Sequence, residues 1–132
     1  MSGAAIVTTL LSANSNLTAV VSASNILSGY VSGNPLPAIS VTKVTGQQEN
    51  TLKMGESSYL VSQRVQVTVF ASTEGSAKSI MALVRAALPY TRGTVGSFAC
   101  QSILPDSEGP DFYDPSSKLA QQSQDYIVWF DR

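Results

Sequence analysis

The chain predicts an α+β fold: a mostly antiparallel sheet of four to five strands, with an N-terminal helix and one central amphipathic helix packed on it. Three features carry this. In YLVSQRVQVTVFA, from Tyr59, residues Val61, Val65, Val67, Val69 and Ala71 alternate with Ser62, Arg64, Gln66 and Thr68, the period of two of a half-buried strand. The next segment, SAKSIMALVRAAL from Ser76, repeats Ala77, Ile80, Met81, Val84 and Leu88 at steps of three and four, which makes one apolar helical stripe with Lys78 and Arg85 outside it. The remaining segments alternate helix and strand character without internal repeat, so helices and strands share one core.

At the N-terminus, Ala4, Val7, Leu10 and Leu11 have helical spacing and predict a helix over Gly3 to Ala13. Asn16 is expected to cap a second short turn through Leu17, Val20 and Val21. Residues Ile26 to Pro37 are rich in glycine and proline and read as a loop, with an extended piece at Ile26 to Val31. Ala38 to Thr45 is β-branched and alternating, hence a strand. Gly46 to Ser58 is polar and longer than an ordinary hairpin turn, so it is a candidate functional loop. Before the central helix, Ser72 or Thr73 is a candidate cap and Glu74 suits the positive helix end. Pro89 stops the helix, because it lacks the N–H that a further turn needs. Ser97 to Leu104 reads as a strand with Phe98, Cys100 and Leu104 on one face. Pro105 to Ser123 reads as a second wide loop, and Gln124 to Phe130 as a closing strand. That strand is apolar on both faces, so it belongs in the middle of the sheet or under a cover. If the central helix is a right-handed crossover, its flanking strands are parallel and the two loops leave opposite ends of the sheet.

Composition narrows the function. The 132 residues suit one domain spanning 1–132, with 43% hydrophobic and only 13% charged residues and a net charge of −1. No apolar run approaches the ~20 residues that span a bilayer, so no membrane role is expected. No Lys or Arg precedes Lys43, so the basic region of a secretory leader is missing and a cytosolic site of synthesis and assembly is expected. The Asn16–Thr18 sequon is therefore not read as a glycosylation site. With one cysteine, Cys100, and no histidine, a disulfide, the usual zinc clusters and a histidine-based triad are unavailable. Cys100 reads as a small buried hydrophobe. Ser40 and Lys43 fit an S-x-x-K pattern, but on a strand residues three apart point to opposite faces. Asp106, Glu108, Asp111 and Asp114 match no calcium loop, and a solvated or partner-facing acidic segment is the better reading. No cofactor motif is present. Arg64 is expected to pair with an acid on a neighbouring strand or subunit, and Trp129 and Phe130 to enter the core.

Taken together, RVQVTVFA at Arg64 to Ala71, the helix ending MALVRAAL, the opening helix, Leu17 to Val20, Pro35 to Pro37 before a strand, and the closing DFYDPSSKLAQQSQDYIVWF resemble the tail completion, or tail terminator, proteins of long-tailed bacteriophages. Ala120 to Ser123 lacks an arginine that the family pattern has there. The resemblance implies a structural virion protein of the tail or neck, not an enzyme. It implies a homo-oligomeric ring, generally of six subunits, that caps the tail tube, stops its growth and meets the head-to-tail connector. DNA would pass through its lumen without specific binding. The expected contacts with tube or connector are Gln47, Gln48, Glu49, Lys53 and Glu56 on the first loop, and Asp106, Glu108, Asp111, Asp114 and Lys118 on the second. Thr9, Ser12 and Arg64 are the expected subunit contacts. The first 42 residues carry no charged side chain, as suits an interface core. Competing readings are another neck or tail-tube ring component, or a small ligand-binding or regulatory α+β module.

Overall fold

The computed structural model describes residues 3–28, 36–48, 60–88, 93–95, 98–116 and 118–131. In chain order these form α1 (Gly3–Ala13), α2 (Ser15–Thr18), β1 (Ile26–Ser28), β2 (Ala38–Gln48), β3 (Leu60–Ala71), α3 (Glu74–Ala87), β4 (Gly93–Val95), β5 (Phe98–Glu108), β6 (Phe112–Asp114) and β7 (Leu119–Asp131). The class is α+β, with a larger and more mixed sheet than expected. Seven strands lie in the order β1-β2-β3-β7-β5-β4, and β6 pairs with β7 off that path. β1 runs parallel to β2, whereas every other pairing is antiparallel.

The period of two in β3 reappears as a strict alternation of half-buried and buried residues along all 12 positions. The buried set faces α1 and α3, and Val65, Val67, Val69, Ile39, Val41, Val84 and Phe130 are fully enclosed in one core cluster. Burying each such side chain contributes about 1.5–3 kcal/mol. α3 fits because its stripe of Ala77, Ile80, Met81, Val84 and Ala87 is buried. Its cap is Thr73, whose Oγ1 accepts from Ser76 N at 3.1 Å. The cap of α2 is Asn14, not Asn16: Asn14 Oδ1 accepts from Leu17 N at 3.0 Å. Asn14 has the extended backbone that a cap requires, whereas Asn16 already lies inside the turn.

The closing strand is central, between β3 and β5, as its two apolar faces require. Phe130 enters the core and Trp129 does not; it lies half-buried on the opposite face with Ile127. Two further expectations are corrected along β5. A register shift between Cys100 and Ser102 reverses the alternation, since one extra residue moves every later side chain to the other face. Ile103 is therefore buried and Leu104 is 43% exposed. The expected wide loop from Pro105 to Ser123 is largely strand: β5 runs on to Glu108, β6 pairs with the start of β7, and Gly109 N bonds Ser123 O at 2.9 Å. Pro105 is tolerated next to a second register shift, between Pro105 and Glu108.

β3 and β5 both run antiparallel to β7 and hence parallel to each other. The β2–β3 junction, where Gln48 pairs with Val61, thus lies at one end of the sheet. The β5–β6–β7 hairpin lies at the other.

Candidate functional site: two sheet ends and an uncharged flank

At the first sheet end, Gln47 and Gln48 close β2. Glu49, Lys53 and Glu56 lie outside the described residues. The second end is built from the hairpin, and its acids are separated rather than gathered. Arg64 Nη1 on β3 donates to Asp106 and lies 3.3 Å from Asp125 Oδ2. Arg85 on α3 reaches Glu108 Oε1 at 2.9 Å through Nη2 and Gln124 Oε1 at 3.3 Å through Nε. Lys78 Nζ on α3 lies 3.4 Å from Asp111 Oδ2, and Gln122 Nε2 donates to Asp111 Oδ1. Asp114 Oδ1 accepts from Ser116 N at 3.0 Å and from its hydroxyl at 2.8 Å, which closes the turn after β6.

The register shift near Pro105 explains this division. It turns Asp106 toward the open sheet face and Glu108 toward α3, so each acid meets a different cation. No group of three potential metal ligands occurs among the described residues. These pairs are largely exposed, so each contributes little to stability; those of Lys78 and Arg85 fix where the hairpin lies against α3. The Gln122 amide, followed by the Lys78 ammonium, holds the Asp111 carboxyl below the usual range. The hydrogen bond to Asp106 is the largest cause of a raised Arg64 pKa.

Arg64, expected at a subunit boundary, is thus engaged with two acids of its own chain. Lys118 is exposed after the hairpin turn with a positive φ of 53°. Thr9 is exposed and donates its hydroxyl to Ala5 O at 2.8 Å, while Ser12 is half-buried. Both belong to a flank made by α1, α2 and the segment before β2, where no charged residue occurs. α1 is tied to the sheet by Gly3 N, which donates to Oε1 of buried Gln63 at 2.6 Å. A Cβ at Gly3 would lie 3.2 Å from both Gln63 Oε1 and Val65 Cγ2, so glycine permits this approach.

Sequence reasoning missed four surface residues. Val20 and Leu36 are 50% and 42% exposed on the uncharged flank, and Phe112 and Tyr113 are 51% and 42% exposed on β6. The sequence signal for the second pair was two adjacent aromatics between Pro110 and Pro115. Val20 and Leu36 line a groove of about 600 Å³ with Pro37, Ala71, Gly75 and Ile80. The one cysteine, Cys100, is buried, and burial pushes its thiol pKa up, away from a reactive thiolate.

The family model described as "Tail completion protein gp17" matches residues 5–131. The chain belongs to the tail completion protein family. The match spans both sheet ends, nearly all of the uncharged flank and every core residue except Ala4. This makes the chain a structural protein of phage tails and implies a non-enzymatic role. The tail completion chain also resembles a solved chain titled "Virion of native gene transfer agent (GTA) particle", with TM-score 0.70 at 14% identity over 99% of this chain and 96% of that one. That likeness carries the fold. Among curated proteins no relative matches. No helix among the described residues is long and apolar enough to cross a membrane.

Proposed function

We propose that this chain, acting over residues 1–132 as one tail-terminator-like domain, assembles into a six-subunit ring. The ring caps the tail tube when it reaches its final length and presents the opposite face to the head-to-tail connector. The observation that carries this reading is the placement of the β2–β3 junction and the β5–β6–β7 hairpin at opposite ends of one sheet, in a member of a tail completion family. One end addresses the tube and the other the connector, through Gln47, Gln48, Glu49, Lys53 and Glu56 on one side and Asp106, Glu108, Asp111, Asp114 and Lys118 on the other. The uncharged flank with Thr9 and Ser12 supplies lateral contact, since interface cores are depleted in charge. Assembly takes place in the host cytoplasm, and DNA traverses the lumen without specific binding, consistent with a net charge of −1.

Native mass spectrometry with negative-stain imaging tests the ring, first on the purified chain and then on chain mixed with tails. Closed rings of one defined number, free or seated on tail ends, are the expected result. A chain that stays monomeric and leaves tail ends bare would refute it.

A further inference from the structure

The core does not need the segment that crosses from β5 to β7. Its buried cluster takes Ile103 and then Ala120, with no described residue between them. Residues 106–116 contain no buried side chain, and even Phe112 and Tyr113 are exposed. The pairing is also discontinuous. β5 breaks its register with β7 between Pro105 and Glu108, and the segment then meets β7 through Glu108 opposite Gln124, Gly109 N on Ser123 O, and β6 opposite residues 119–121. Along that same stretch the other edge of β7 pairs with β3, from Ala120 opposite Ala71 to Gln124 opposite Val67. β7 therefore keeps its place when the segment lifts.

The buried polar groups beneath tolerate the same motion. Gln124 loses the bond from its Nε2 to Ser107 O but keeps Asp125 O at 3.2 Å and Arg85 Nε at 3.3 Å. Gln122 gives up Asp111 and gains water at the edge laid bare. Charge holds the segment down from two sides: Arg64 on the open sheet face takes Asp106, while Lys78 and Arg85 on α3 take Asp111 and Glu108. Such exposed pairs matter little to a whole domain, yet they weigh heavily in a segment that buries no apolar side chain. We propose that residues 106–116 are a strap that opens as one unit over a closed core, and that these three cations latch it. Opening bares the edge of β7 over residues 119–124, whose backbone groups an extended strand can then pair. The strap lies at a sheet end assigned to a partner, but its opening does not depend on ring formation.

Amide hydrogen exchange of the full chain reads the latch directly. Gly109 N–H reports the strap, the amides of residues 65–69 report the core, and Thr18 N–H, bonded to Asn14 O at 3.0 Å on the uncharged flank, is the control for salt. Charges are screened beyond about 30 Å at 0.01 M salt and about 3 Å at 1 M. Gly109 is expected to exchange faster than the core at both concentrations, and at least about threefold faster at 1 M than at 0.01 M, with Thr18 unchanged. Lys78→Gln combined with Arg85→Gln is expected to bring the same acceleration at 0.01 M, with the core amides unaltered and thermal melting confirming the fold. Gly109 exchanging only as slowly as the core would overturn the separate opening. Separate exchange that ignores both salt and the substitutions would overturn the latch.

Discussion

Gln63 is the residue on which the docking of α1 depends. It occupies an inward position of β3 where the alternation otherwise places valine, it is 3% exposed, and its Oε1 accepts from the first described N–H of α1 at 2.6 Å. That N–H has no intrahelical acceptor, because the first turn of any helix leaves its donors unpaired. Gln63→Leu keeps the side chain's approximate volume and apolar stem but removes the acceptor. The Gly3 N–H then remains buried against Val65 and Val128 with its bond lost, at a cost of about 1–3 kcal/mol. With a urea slope of about 2 kcal/mol/M for a chain of this size, the unfolding midpoint is expected to fall by about 0.5–1.5 M. Amide hydrogen exchange should show the loss of protection concentrated in α1, not in β3. Gln66→Leu, on the half-buried opposite face, is the control and should shift the midpoint little. An unchanged midpoint for Gln63→Leu with α1 fully protected would refute the assignment of Gln63 as the tether.

Three further effects follow from local geometry. Thr73→Ala removes the acceptor for Ser76 N and should cost about 1 kcal/mol, read as a lower urea midpoint; no change would mean that Ser72 or solvent replaces the cap. Lys118 has a φ of 53°, a conformation that costs a non-glycine residue roughly 1–2 kcal/mol, so Lys118→Gly should raise the melting temperature. A fall would show that the lysine side chain matters more than its backbone. Burial raises the Tyr126 pKa, with Arg85 opposing and Glu108 reinforcing the shift. The folded state therefore holds the phenol proton more tightly than the unfolded chain does. Its stability contribution is complete below the unfolded value of about 10 and is lost as pH rises through the folded one. Tyr126→Phe should flatten the alkaline decline in melting temperature, and an identical decline in both proteins would exclude Tyr126 as its source.

The sequence made the centre of the fold legible and hid its margins for identifiable reasons. β3 and α3 were readable because their apolar residues keep strict periods and their ends carry Thr73 and Pro89. The hairpin was not. The inward positions at the start of β7 include Gln122 and Gln124, 9% and 2% exposed, which look like loop residues until Asp111 and Arg85 satisfy them from distant elements. Two register shifts in β5 reversed its alternation, so neither Leu104 nor the continuation through Pro105 followed from the pattern. Asn14 and Asn16, two residues apart, have equal capping chemistry, so composition does not say which of them starts α2. Of the candidate contacts, Asp106, Glu108 and Asp111 are exposed as an acidic segment suggests, but the cation that each meets is set by tertiary pairing. The groove, which joins residues near 20, 36, 71 and 80, has no local signature at all.

The proposed capping role is tested most directly by tube growth. Purified tail tube protein would be polymerised with and without this chain, and tube lengths and ends measured by electron microscopy. The account predicts that added chain arrests elongation, shortens the length distribution and leaves a ring at one end of each tube. Tubes that elongate equally in its presence, with unmodified ends, would contradict it.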